Sequence, residues 1–63
     1  MNNIKNLRIK AGLTQMQLAD SLNVEQATVS FWESGKVDPR TDKLPELAKI
    51  LNCSIDELLG NKV

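Results

Sequence analysis

Apolar residues recur at helical spacing along nearly the whole chain. Ile4, Leu7, Arg8 and Ala11 stand at i, i+3, i+4 and i+7, one face of an amphipathic helix with a cation set into it. Leu18, Ala19 and Leu22 form a second stripe. Val29 and Trp32 form a third, with Val24 entering from the turn before it. Leu44, Leu47, Ala48 and Leu51 form a fourth, broadened by Ile50, and Ile55, Leu58 and Leu59 a short fifth. The only aromatics are Phe31 and Trp32, and β-branched runs are few, which favours helices over sheet. The pattern predicts an all-α, compact five-helix domain filling residues 1–63, with helices at about 2–11, 15–22, 26–33, 43–51 and 55–59.

Capping residues fall where these helices should begin and end. Asn2 or Asn3 is the expected first cap, and Gly12 ends the first helix. Thr14-Gln15-Met16-Gln17 and Ser54-Ile55-Asp56-Glu57 read as capping boxes, in which a hydroxyl takes one free amide and the side chain three residues on returns to the cap. Asn23 stands where the chain must reverse, and Asn tolerates positive φ better than any residue but Gly. Ala19 is small where two steeply crossing helices need a small residue. Gly35 closes the third helix and Pro39 stiffens the loop after it. Pro45 belongs in a first turn, where its missing amide costs nothing. Asn52 is the expected fourth C-terminal cap, Gly60 ends the fifth helix, and Asn61-Lys62-Val63 reads as frayed.

With 63 residues there is room for one domain, burying about 60% of its extended surface. A lone cysteine, Cys53, excludes an intramolecular disulfide, fits a reducing compartment, and is expected to be a small buried hydrophobe. No apolar run approaches the ~20 residues of a membrane span, and Met1–Lys5 lacks a signal-peptide apolar region. A cytoplasmic location is the expectation.

The spacing Gln15, Ala19, Asn23, Val29 and Trp32 resembles the helix-turn-helix of the lambda repressor and Cro family. Gly12-Leu13-Thr14, Trp32-Glu33-Ser34-Gly35-Lys36 and Leu47-Ala48 match as well, so the resemblance runs from about Ile4 to Leu59. It implies a lambda repressor-like fold whose third helix reads double-stranded DNA in the major groove. It further implies an Arg8–Glu33 pair, for which a solvated Arg8 at the helix edge is the alternative. Gln15 is implied to bond a phosphate from the second helix's N-terminus, against the plainer reading of a polar first-turn residue.

The outward face of the third helix is then Gln26, Ala27, Ser30 and Phe31, none of them charged. Gln bonds N6 and N7 of adenine, Ser donates or accepts, and Ala and Phe touch the thymine methyl. Thr28 borders this face, within reach of a phosphate if the helix lies in the groove. A lone surface Gln is ordinarily just solvated; the register makes Gln26 the leading base reader. Many relatives carry Lys, Arg or Gln where Phe31 stands, so Phe31 is a thymine-methyl probe, a dimer contact, or tucked against its own chain. Lys36 and Arg40, with Lys43, can straddle the phosphate backbone, although Asp38 and Asp42 interleave as in an ordinary solvated loop.

Net charge qualifies this reading. Eight bases balance eight acids. Residues 1–13 carry +3, 14–33 carry −3, 34–43 carry +1 and the remainder −1. Affinity is expected to lean on backbone amides and neutral side chains more than on counterion release. A DNA-binding transcriptional regulator, a repressor by preference, is therefore the leading expectation, acting as a homodimer on a near-palindromic operator. The alternative is a protein-interaction or antitoxin-like adaptor on the same scaffold. An enzyme is excluded: there is no histidine, no glycine-rich phosphate loop and no base for Cys53 or any serine. No metal, cofactor or small-molecule ligand is expected. Leu58 or Leu59, or the loop and fourth helix, are the candidate dimer surfaces.

Overall fold

The structure is a computed structural model that describes residues 3–60. Its elements are α1 (Ile4–Lys10), α2 (Gln15–Leu22), α3 (Gln26–Ser34), a 3-10 turn (Thr41–Lys43), α4 (Leu44–Ile50) and α5 (Ile55–Leu59). The described residues contain no strand. This is the all-helical, five-helix architecture that the apolar periodicity predicts.

Local chemistry explains most of the boundaries. In α2, Gln17 N donates to Thr14 Oγ1 at 3.0 Å and Thr14 N donates to Gln17 Oε1 at 2.9 Å. Glu57 and Ser54 repeat this at α5, at 3.1 and 2.9 Å. Such boxes satisfy amides that a helix start otherwise leaves open. Asn23 ends α2 in the left-handed region at φ 57°. Gly35 ends α3 at φ 80°. A Cβ at Gly35 would meet nothing within 4 Å, so backbone conformation alone demands glycine there.

Some expected boundaries shift. The cap position of α1 is Asn3, but its side chain caps no backbone amide; Asn3 Oδ1 instead accepts from the Asn6 side chain's Nδ2 at 3.0 Å. Asn2 and the expected fraying of Asn61, Lys62 and Val63 lie outside the described residues. Ala11 is exposed and stands at the C-cap, so it leaves the apolar stripe of α1. The fourth helix is shorter than 43–51, because the 3-10 turn takes up its lead-in. α3 runs one residue further than expected, to Ser34.

The core consists of Ile4, Leu18, Ala19, Leu22, Val29, Trp32, Leu47, Leu51 and Leu58. Burying a side chain such as Leu or Val contributes about 1.5–3 kcal/mol. α2 and α3 pack on each other, α1 lies against α3 and α5, and α4 lies against α2 and α5. Asn3 N donates to Leu58 O at 2.8 Å, closing the start of the first helix onto the last. Cys53 is half-buried beside the core rather than inside it. Burial, reinforced by the Glu57 charge, pushes its thiol up from the ordinary value.

Candidate nucleic-acid interface

The two faces of α3 divide cleanly. Val29 and Trp32 are buried, while Gln26, Ala27, Ser30 and Phe31 are exposed. Thr28, between the faces, is half-buried. Residues four apart on a helix lie one above the other. Gln26 and Ser30 therefore form a polar stripe, and Ala27 and Phe31 an apolar one beside it.

Beneath this face runs a chain of polar contacts. Arg8 Nε donates to Glu33 Oε2 at 2.5 Å and Arg8 Nη2 to Glu33 Oε1 at 3.2 Å. The two side chains retain only 12% and 4% of their exposure. Arg8 Nη1 also donates to Leu13 O at 2.8 Å. The Arg8–Glu33 pair is thus formed, and the solvated alternative for Arg8 is set aside. Gln15 Nε2 donates to Glu33 Oε1 at 3.0 Å, and Gln26 Nε2 reaches Gln15 Oε1 at 3.5 Å. Gln15 is half-buried, with one amide hydrogen already committed inward. Its second amide hydrogen remains for an outside acceptor. Burial pushes the Glu33 carboxyl up, but hydrogen bonds from Arg8 and Gln15 and the Arg8 and Lys5 charges outweigh it, holding it below the ordinary value. Among the described residues no buried side-chain nitrogen or oxygen lacks a partner.

The basic residues after α3 separate into two groups. Lys36 is exposed, with its Nζ 5.7 Å from the centre of the Phe31 ring, a cation–π distance. Arg40 Nε lies 3.9 Å from Asp42 Oδ1, with both side chains largely in solvent, a contact of little energetic weight. Lys43 departs from expectation. It donates to Leu22 O at 3.4 Å and pairs with Glu46 at 3.4 Å, so it is tied to its own chain rather than offered with Lys36 and Arg40.

Two features of this surface escape the sequence reading. Val37 is 49% exposed, and its amide donates to Phe31 O at 3.3 Å, the same carbonyl that accepts from Lys36 N at 3.0 Å. Gly35 was the available signal, because a glycine C-cap folds the following amides back onto the last turn. The Gln15–Glu33 bond had no local signal at all, its partners lying eighteen residues apart. Leu58, one of the candidate dimer residues, is fully buried and is withdrawn from that role. Ile55 and Leu59, one turn apart on α5, are exposed. The described residues hold no group of three or more His, Cys, Asp or Glu placed to bind a metal ion, and none of their helices is long and apolar enough to cross a membrane.

Comparison with known proteins agrees with this geometry. A helix-turn-helix family profile matches residues 4–58. The transcriptional regulator ImmR of Bacillus subtilis is 42% identical over 57 residues, 90% of this chain and 45% of its own length. The transcriptional activator BcrR of Enterococcus faecalis is 41% identical over 59 residues, 94% of this chain and 29% of its own length. RstR of Vibrio cholerae, a transcriptional repressor of the cryptic phage CTXphi, is 35% identical over 57 residues, 90% of this chain and 51% of its own length. The chain thus spans about a third to a half of these curated relatives. By the profile over residues 4–58 and these identities, this chain belongs to the helix-turn-helix family of the Cro and lambda repressor-like type, whose relatives above are named transcriptional regulators.

Proposed function

We propose that this chain is a sequence-specific, double-stranded DNA-binding repressor that reads the major groove with α3. One observation carries the reading: the exposed half of α3 is uncharged and chemically mixed, while its other half is anchored in the core by Val29 and Trp32. Gln26 and Ser30 face base edges, and Ala27 lies against a thymine methyl. Gln15, through its free amide hydrogen, and Thr28, Lys36 and Arg40 hold the sugar–phosphate backbone. Two protomers present their third helices to major-groove faces about 34 Å apart on a near-palindromic operator. Self-association runs through the exposed Ile55 and Leu59 of α5. Repression follows by occlusion, which requires only that the bound dimer cover a promoter, and the location is cytoplasmic, with the DNA. RstR is named a repressor and BcrR an activator, so the direction of control rests on this economy and on the phage relative.

Selection from random duplexes followed by titration over a range of salt tests this reading. An enriched site with dyad symmetry is expected. The salt slope should be shallow, about −3 to −4 for a dimer using Lys36 and Arg40 twice, at −0.9 per neutralised phosphate. Recovery of no preferred duplex, or binding indifferent to salt, would refute it.

A further inference from the structure

We propose that the groove between the end of α1 and the turn joining α4 to α5 binds a free α-amino acid with an aliphatic side chain. The inference goes beyond the reading of α3 and uses none of its outward residues. The groove has a volume of about 240 Å3. Leu7, Lys10 and Ala11 line it from the α1 side, and Leu51, Asn52, Cys53 and Glu57 from the α4–α5 side. Its walls come from opposite ends of the chain, so no local motif signals it. They are set by backbone geometry. Cys53 N donates to Ala48 O at 2.9 Å and Asn52 takes φ 54°, which fixes the turn. Glu57 Oε1 accepts from Ser54 N at 2.9 Å, which orients the carboxylate and leaves Oε2 over. That charge lies close enough to Cys53 to help raise its thiol. A site already shaped loses less entropy on binding.

The occupant follows from the two charges. Lys10 and Glu57 are exposed, opposite in sign and on the same groove, yet no ion pair joins either of them to a described residue. A purely apolar ligand would desolvate both with nothing to pair them. A fatty carboxylate would satisfy Lys10 and leave Glu57 facing carbon; an alkylamine would do the reverse. A zwitterion answers both. Its carboxylate meets Lys10 and the Asn52 carboxamide, its ammonium meets Glu57 Oε2, and its side chain lies on Leu7, Ala11 and Leu51. Size narrows the class further. Pockets for drug-sized ligands begin near about 300 Å3. At 240 Å3 the groove suits a single amino acid rather than a peptide or a nucleotide.

Titration of the whole protein with L-leucine, followed by backbone amide NMR, tests this without DNA, so its outcome is independent of the reading of α3. Saturable shifts confined to residues 7–11 and 51–57 are expected. Isocaproate and isoamylamine keep the leucine side chain but lack the amine or the carboxylate. Each should bind about ten-fold more weakly than leucine, the usual worth of one charge-assisted hydrogen bond. Lys10→Gln should erase the preference for leucine over isoamylamine. Glu57→Gln, which a capping box accepts, should erase the preference over isocaproate. Ala11→Leu, at an exposed position, fills the groove and should abolish the shifts while leaving the melting temperature nearly unchanged. Shifts that stay linear to the solubility limit of leucine overturn the proposal and leave a groove filled by water alone. Equal binding of all three compounds also overturns it, by reducing the site to an apolar surface. Shifts that persist in a folded Ala11→Leu protein place the amino acid elsewhere and overturn the assignment to this groove.

Discussion

Gln15 donates to the same Glu33 oxygen that receives Arg8, at 3.0 and 3.2 Å. This carboxylate joins α1, α2 and α3 through side chains alone. The contact with Gln26 extends the chain from a nearly dry ion pair to the exposed edge of α3. Glu33 therefore orients Gln15, and through Gln15 it biases where Gln26 rests.

Breaking the pair from one side should be costly. Arg8→Ala leaves a carboxylate with 4% exposure short of its main partner and should destabilise by about 3–5 kcal/mol, read from urea unfolding. The double change Arg8→Met with Glu33→Leu should recover much of that loss, since burying two apolar side chains avoids desolvating either charge. Equal instability in the single and double variants would show that shape, not charge, holds this junction.

The same pair sets an acid limit. The Glu33 carboxyl in the fold titrates below its ordinary value, so the folded state holds the proton less tightly than the unfolded chain, whose Glu titrates near about 4.3. The stabilisation is fully present above that unfolded value and is lost as pH falls through the lower, folded one. Thermal melts of the natural protein and Glu33→Gln should differ most near neutrality and converge toward pH 3. A gap that stays constant from pH 6 to pH 3 contradicts an ionised Glu33 in this role.

Legibility in the sequence divides along physical lines. Both capping boxes, the reversal at Asn23 and the glycine at Gly35 were readable because each is a local interaction within a few residues. So was the inward face of α3, set by Val29 and Trp32. Leu58 and Leu59 were not separable, since a helix of five residues is too short for periodicity to say which neighbour faces in. Lys43 was misplaced because a 3-10 turn, not the helix expected from residue 43, aims its side chain back at Leu22. Gln15 and Val37 were incompletely read for one reason: their partners are set by tertiary packing and by loop closure.

Gln26→Ala should relax preference at one base position and cost about 1–3 kcal/mol there, the usual worth of a bidentate contact. Parallel selections with the two proteins check it. An unchanged preferred site removes Gln26 as a reader and leaves it as a surface residue resting on Gln15.

The two neighbouring leucines of α5 should behave in opposite ways. Leu58→Ala removes a fully buried side chain and should destabilise the fold by about 2–5 kcal/mol. Leu59→Glu alters an exposed position and should leave the melting temperature nearly unchanged while weakening self-association, read by sedimentation equilibrium. A Leu59→Glu protein that dimerises as before moves the dimer surface away from α5.

Lys36 and Lys43 make a matched pair for separating groove-side charge from structural charge. Lys36 is exposed just past the end of α3, and its side chain's contact with the Phe31 ring leaves its ammonium hydrogens available to a phosphate. Lys43 already bonds Leu22 O and Glu46, so recruiting it to DNA would mean giving up both. Lys36→Ala should weaken binding to all duplexes about equally and make the salt slope shallower by about 1 per protomer. Lys43→Ala should leave that slope alone and act instead on stability, through the lost tie to the C-terminal end of α2. Equal slope changes in the two variants would mean that long-range charge, rather than contact, governs the electrostatics of binding in a chain whose formal charges sum to zero.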